Sequence, residues 1–316
     1  MQQLDIFNDS RDRVLVNHLA EAIAQGALEA SRAAESVLRH EFPGDRHLPA
    51  AAVLIDHLAL EVQAAATPLA DPATALAARQ ALAGAVHGAA HAVLGHKAAG
   101  DWLAARWCAL ARRAVALPYL ASCADAHAAA LFIQGRAWAD AAQAVAGIES
   151  WRRQPQALDW MAQAQWRLRG ADATWPLVAE LAWLAPQRLP ALLTGLGDPR
   201  LHKLMRAFEA FDAGDVAGDV VDDVDVVDAD EAAGRAASAA AAWRWWPAWL
   251  LVEQPLLAAP LDGTQTAGAA APERAFKLMQ SLLRLERQGR HHDIVALRRE
   301  LQGLHAALFA AYMAPR

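Results

Sequence analysis

Between residues 128 and 211 the chain repeats itself. A shift of 35 positions lays Leu131, Gly135, Ala142, Ala144 and Ile148 onto Trp166, Gly170, Leu177, Ala179 and Trp183, so apolar positions fall on apolar positions and glycine on glycine. Helical hairpins produce a period of that size, because each has one apolar flank that only a neighbour of similar shape can cover. The sequence therefore predicts an all-α protein of stacked antiparallel helical hairpins, an α-solenoid. Composition agrees: the 55% apolar content is carried largely by Ala and Leu, strong helix formers, and the β-branched and aromatic alternation of strands is almost absent. No sheet is expected.

Breakers divide the chain. Asn8, Asp9 and Ser10 offer capping oxygens to a helix carrying Val14, Leu15, Leu19 and Ile23 at helical spacing up to Gly26, and residues 1–8 are then an extended tail outside it. Residues 27–40 predict a second helix, closed by Phe42-Pro43-Gly44, and residues 47–66 a third. Asp71 with Pro72 reads as a helix start, and Gly95, Gly100 and Pro118 as breaks between the next three helices. Glycines 26, 135, 170 and 289 recur after Gln or Arg at hairpin turns, where a left-handed residue ending a helix costs glycine least. The expected division is a tail at 1–8, N-terminal hairpins at 9–66, a central array at 67–211, an acidic low-complexity linker at 212–240, and a Trp-rich segment with a hairpin at 241–316.

The segment 157–186 resembles a tetratricopeptide repeat. It has a large aromatic in its first helix (Trp166), a turn glycine four residues on (Gly170), small residues in its second helix (Ala179, Ala182) and a closing proline (Pro186). It departs from that family at Arg169, where leucine is usual, and at Pro186, which comes about eight places early. The resemblance implies hairpin architecture, a tetratricopeptide-like solenoid that binds other proteins, over about 80 residues of the chain.

Charge is local. The net −6 includes nine acidic residues and no Lys or Arg between 212 and 231, which leaves about +3 elsewhere. Repeated Asp with Val, Gly and Ala repels itself and has few large side chains to bury, so a disordered insertion is expected there. Calcium binding is disfavoured because the spacing lacks the glycine and terminal glutamate of an EF-hand loop. Trp243, Trp245, Trp246 and Trp249 follow, four indoles in seven residues. They read either as a groove for a partner peptide or, the favoured reading, as a staple of the C-terminal unit onto the array.

Gln3-Leu4-Asp5-Ile6-Phe7 is the most specific motif. It resembles the pentapeptide Gln-Leu-(Asp/Ser)-Leu-Phe by which bacterial replication and repair proteins bind the polymerase sliding clamp, with Ile6 for leucine as its one departure. The resemblance implies that Leu4, Ile6 and Phe7 enter apolar pockets while the Gln3 amide hydrogen-bonds at the rim. The competing reading folds Ile6 and Phe7 back on Val14 or Leu15 as a hydrophobic staple.

Other candidates are weaker. His87 and His91 lie one helical turn apart, with His96 or Asp101 as further metal ligands, yet Gly88 stands where a zinc protease needs glutamate. A structural or surface role is expected for them, and no metal. Arg284, Arg287, Arg290, Arg298 and Arg299 make the C-terminal hairpin locally basic, as Arg106, Arg112 and Arg113 do earlier. Such stripes can contact phosphate, but Glu286, Asp293 and Glu300 dilute the later one. There is no phosphate loop, dinucleotide fingerprint or nucleophile elbow, so neither enzyme activity nor a cofactor is expected.

With no basic-then-apolar leader, no apolar run of roughly twenty residues, and only Cys108 and Cys123 as thiols, a cytoplasmic protein without membrane contact is expected. The function expected is a non-enzymatic helical adaptor on the sliding clamp, accessory to DNA replication or repair, with another protein as a further partner and DNA reached indirectly. The alternative is a general protein-binding scaffold with no clamp contact.

Overall fold

A computed structural model describes residues 2–64, 67–216 and 240–314, and for 2–10 and 215–216 it describes the backbone alone. Every regular element among the described residues is helical and none is a strand. The all-α expectation holds for the reason that motivated it: Ala and Leu at helical spacing, with almost no alternating runs. Most of the acidic insertion lies outside the described residues.

The chain forms two compact units, Met1–Ile148 and Glu149–Arg316. The expected central array at 67–211 spans the division between them. The local cause is visible at the division. Gly147 ends a helix, Ser150 takes a left-handed conformation with φ 52°, and Pro155 restarts the chain in a new helix.

The first unit holds α1 (Gln2–Ala24), α2 (Leu28–Glu41), α3 (Leu48–Ala64), α4 (Pro72–Ala81), α5 (His87–Ala114), α6 (Ala128–Gln134) and α7 (Trp138–Ala146). α1 pairs with α2 and α6 with α7 as hairpins, and α5 packs on α1, α3 and α6. Leu19, Ile23, Leu38, Leu54, Leu58, Leu82 and Leu131 form its core. The buried Trp102 indole donates to the Ile23 carbonyl at 2.9 Å, beside the Gly26 N–H that the same carbonyl accepts at 2.9 Å, and so ties α5 to the end of α1. α4 begins as expected, the Asp71 carboxylate accepting the Thr74 N–H at 2.8 Å. One π-helical turn, Leu82–Val86, then joins α4 to α5. α5 is broken at Gly95 (φ 72°, ψ 168°) but not at Gly100. A glycine without a chain reversal costs a helix only about 1 kcal/mol, which tertiary packing overrides.

The second unit holds α8 (Pro155–Arg169), α9 (Ala171–Leu184), α10 (Leu189–Leu196), α11 (Pro199–Val216), α12 (Trp246–Glu253), α13 (Ala271–Arg287), α14 (Ile294–Leu304) and α15 (Ala306–Met313). α8 pairs with α9, and α13 packs on both α12 and α14. Leu158, Leu181, Phe208, Trp246, Trp249 and Phe276 are fully buried.

The hairpin glycines divide into two cases. Gly26, Gly170 and Gly289 have positive φ as expected, and Gly170 at φ 81°, ψ −168° occupies a region open almost only to glycine. Gly135 is different: its φ is −76°, and the left-handed residue of that turn is Arg136 at φ 56°. Position 135 is small because α5 passes against it. A Cβ there would lie 2.5 Å from Cys108 Sγ and 3.1 Å from both Ala104 O and Cys108 N.

Candidate functional site

The pentapeptide belongs to the first turns of α1, so the backbone of Gln3–Phe7 is helical where an extended tail was expected. The helix does not begin at Asn8, Asp9 and Ser10, since its backbone runs through them. Nothing in 2–10 forces a stop, because the stretch contains neither proline nor glycine. The pentapeptide's side chains lie outside the described residues.

The tryptophan segment is interior. Trp243, Trp246 and Trp249 are buried and Trp245 is half-buried, so the four do not line an open partner groove. Trp243 and Trp249 pack on Phe208 at ring separations of 4.8 and 5.3 Å, Trp246 packs on Trp175 at 6.0 Å, and Trp245 meets His305 edge-on at 4.4 Å. The physical reason is area: each indole buries a large apolar surface, and four of them outweigh what a solvent-facing segment can leave exposed.

The C-terminal arginines are only partly available. Arg298 donates to the Tyr312 hydroxyl at 3.1 Å and to Glu286 at 3.2 Å, Arg290 pairs with Asp293 at 2.7 Å, and the Arg287 Nε donates to the Leu283 carbonyl at 3.1 Å. Arg284 and Arg299 are exposed. Tyr312 also donates to Glu286, so this trio ties α15 back to α13 and α14. Burial first, and then the hydrogen bond to Glu286, push the Tyr312 phenol above its ordinary value.

Three imidazoles gather on α5, with ring centres 4.6 Å apart for His87 and His91 and 4.9 Å for His91 and His96. Desolvation and the two neighbouring rings hold the His91 pKa below its ordinary value. The Nδ1 of His91 is buried without a hydrogen-bond partner. Even so, no group of three His, Cys, Asp or Glu among the described residues is placed to hold a metal ion. The two cysteines are free and half-buried; the Cys108 thiol donates to the Gly135 carbonyl at 3.4 Å, and burial raises its pKa.

Two buried carboxylates stand out in the second unit, and both are structural. Asp159 on α8 accepts from the Gln163 amide at 2.9 Å, with Arg188 3.7 Å away. Glu180 on α9 accepts from Arg152 at 2.9 Å and from the Gln265 backbone N–H at 2.8 Å, pinning the loop before α13. Burial raises the pKa of both.

The feature that sequence reading passed over is a cavity of about 690 Å³ in the first unit, walled by α3, α4, the π-helical turn and α5. Its one legible trace was the basic set Arg106, Arg112 and Arg113, all of which line it. The remaining wall comes from residues as distant as Gly26 and Ala81, which no local pattern connects.

Comparison with known proteins finds no matching family model, no matching curated protein and no matching solved structure. The class established here is the all-α architecture. No helix among the described residues is long and apolar enough to cross a membrane.

Proposed function

We propose that this chain is a non-enzymatic helical adaptor that docks on the bacterial DNA polymerase sliding clamp through Gln3-Leu4-Asp5-Ile6-Phe7, accessory to replication or repair. The observation that carries the reading is the pentapeptide itself, four of whose five positions match the motif directly. In extended form Leu4, Ile6 and Phe7 supply apolar anchors and Gln3 a polar rim contact. Docking in that form unwinds the first turns of α1. A terminal turn is the least costly part of a helix to unwind, because its first N–H groups have no partners within the helix.

The body serves as the protein-binding part. Support comes from two hairpins, α6 with α7 and α8 with α9, whose first helices end at Gln134 and Arg169, the separation at which the sequence repeats. We read them as tetratricopeptide-like units. In this reading DNA is reached through the clamp, since Arg290 and Arg298 are already engaged by carboxylates.

The test is binding of the full chain and of a peptide of residues 1–10 to purified clamp, by calorimetry or surface plasmon resonance. Both bind, and Gln3→Ala with Phe7→Ala weakens the full chain at least tenfold, the loss expected when anchor residues are truncated. Unchanged affinity in the double variant rejects the reading.

A further inference from the structure

The cavity of the first unit is built like a ligand site. Its volume of about 690 Å³ falls within the range of small-molecule pockets, which are mostly apolar with a few placed polar groups. Along α5, Arg106, Ala109, Leu110 and Arg113 lie on one face at i, i+3, i+4 and i+7 and all line the cavity. Ala78 and Ala81 of α4 face them as small residues, so the space between the helices stays open, while Leu58 and Leu82 close its apolar walls.

The two ends differ in charge. At one end Arg106 pairs with Glu61 at 3.0 Å and lies over the Trp102 ring at 4.8 Å, so its charge is balanced. At the other end no carboxylate among the described residues lines the wall. Arg113 donates its Nε to the Thr67 carbonyl at 3.0 Å, and Arg112 forms no hydrogen bond or ion pair with another described residue. The cavity is therefore an apolar channel with a net cationic mouth. Arg106 and Arg113 are seven residues apart, roughly 10 Å along the helix, which suits a medium-length alkyl chain.

The geometry points to a binding site for a single-chain amphiphile with an anionic head, of the fatty-acid class: the carboxylate is held by Arg112 and Arg113, and the chain lies over Ala109 and Leu110 toward the Arg106–Glu61 pair. Guanidinium groups match a carboxylate's two oxygens, and the apolar wall rewards the chain. This site is independent of the clamp-binding segment.

Calorimetric titration of the full chain with decanoate, decanol and butyrate tests it. Decanoate binds saturably at one site per chain, while decanol and butyrate bind at least tenfold more weakly, because each lacks one of the two recognised features. Arg112→Gln with Arg113→Gln weakens decanoate about tenfold or more, and Ala109→Phe, which fills the channel from α5, removes binding. Circular dichroism shows both variants folded. Arg112→Gln alone guards against a folding artefact, since that side chain makes no hydrogen bond or ion pair with another described residue, and it gives a partial loss. Decanol binding as well as decanoate, or decanoate binding unaltered by these variants, overturns the proposal. Binding by a peptide of residues 212–231 with none by decanoate also overturns it, in favour of an acidic protein segment.

Discussion

At the scale of single residues, the turn between α6 and α7 shows how one letter can be right for the wrong reason. Gly135 was legible as a special position, but its backbone is ordinary, and what excludes a side chain is the approach of Ala104 and Cys108 from α5. The Cys108 thiol can rotate away; the two backbone atoms cannot. Gly135→Ala is therefore expected to cost about 1–3 kcal/mol, as overpacking does, and Cys108→Ala in the same chain should recover only part of it, as read by urea denaturation. Arg136, held left-handed beside it, predicts the opposite: Arg136→Gly should be neutral or stabilise by up to about 1 kcal/mol. Asp159 supplies a pH signature. Burial holds its proton more tightly in the folded state than in the unfolded chain, so its contribution to stability falls as pH rises from the ordinary aspartate range through its raised value. Asp159→Asn keeps an acceptor for Gln163 and removes that dependence. Its melting temperature should gain on the parent between pH 4 and pH 7, and a constant difference across that interval would count against the assignment.

At the scale of elements, most helices were legible because their stripes and stops are local. The start of α4 at Asp71-Pro72, the end of α8 before Gly170 and the turn of the last hairpin at Gly289 all follow from capping chemistry. Asp71→Ala accordingly should cost about 1 kcal/mol, the usual loss of an N-cap acceptor, by chemical denaturation. What escaped has a common cause: it depends on partners far along the chain. The run of α1 through Asn8, Asp9 and Ser10 could not be separated from a capped start by composition alone. The π-helical turn Leu82–Val86 carries no spacing signal, yet it sets Leu82 into the cavity wall. The cavity itself exists only once α3, α4 and α5 are assembled. For the tryptophans, sequence left two readings open, and burial beside Phe208 and Trp175 removes the groove.

At the scale of the whole molecule, the chain divides between Ile148 and Glu149, with one of the two self-similar sequence segments on each side. Each unit has its own fully buried large side chains, Leu19, Ile23 and Leu54 in the first and Phe208, Trp246 and Phe276 in the second, and each has the size of an ordinary single domain. Residues 1–148 and 149–316, produced separately, are therefore expected to be helical and to melt cooperatively. Broad, non-cooperative melting of either piece would show that the division is geometric and not a boundary of folding. The same two pieces separate the proposed activities. The first carries both the pentapeptide and the arginine-mouthed cavity, so it alone should bind clamp and decanoate, and with the affinities of the full chain. If clamp binding instead follows residues 149–316, the pentapeptide is a structural part of α1, because a docking peptide acts wherever its own residues are present.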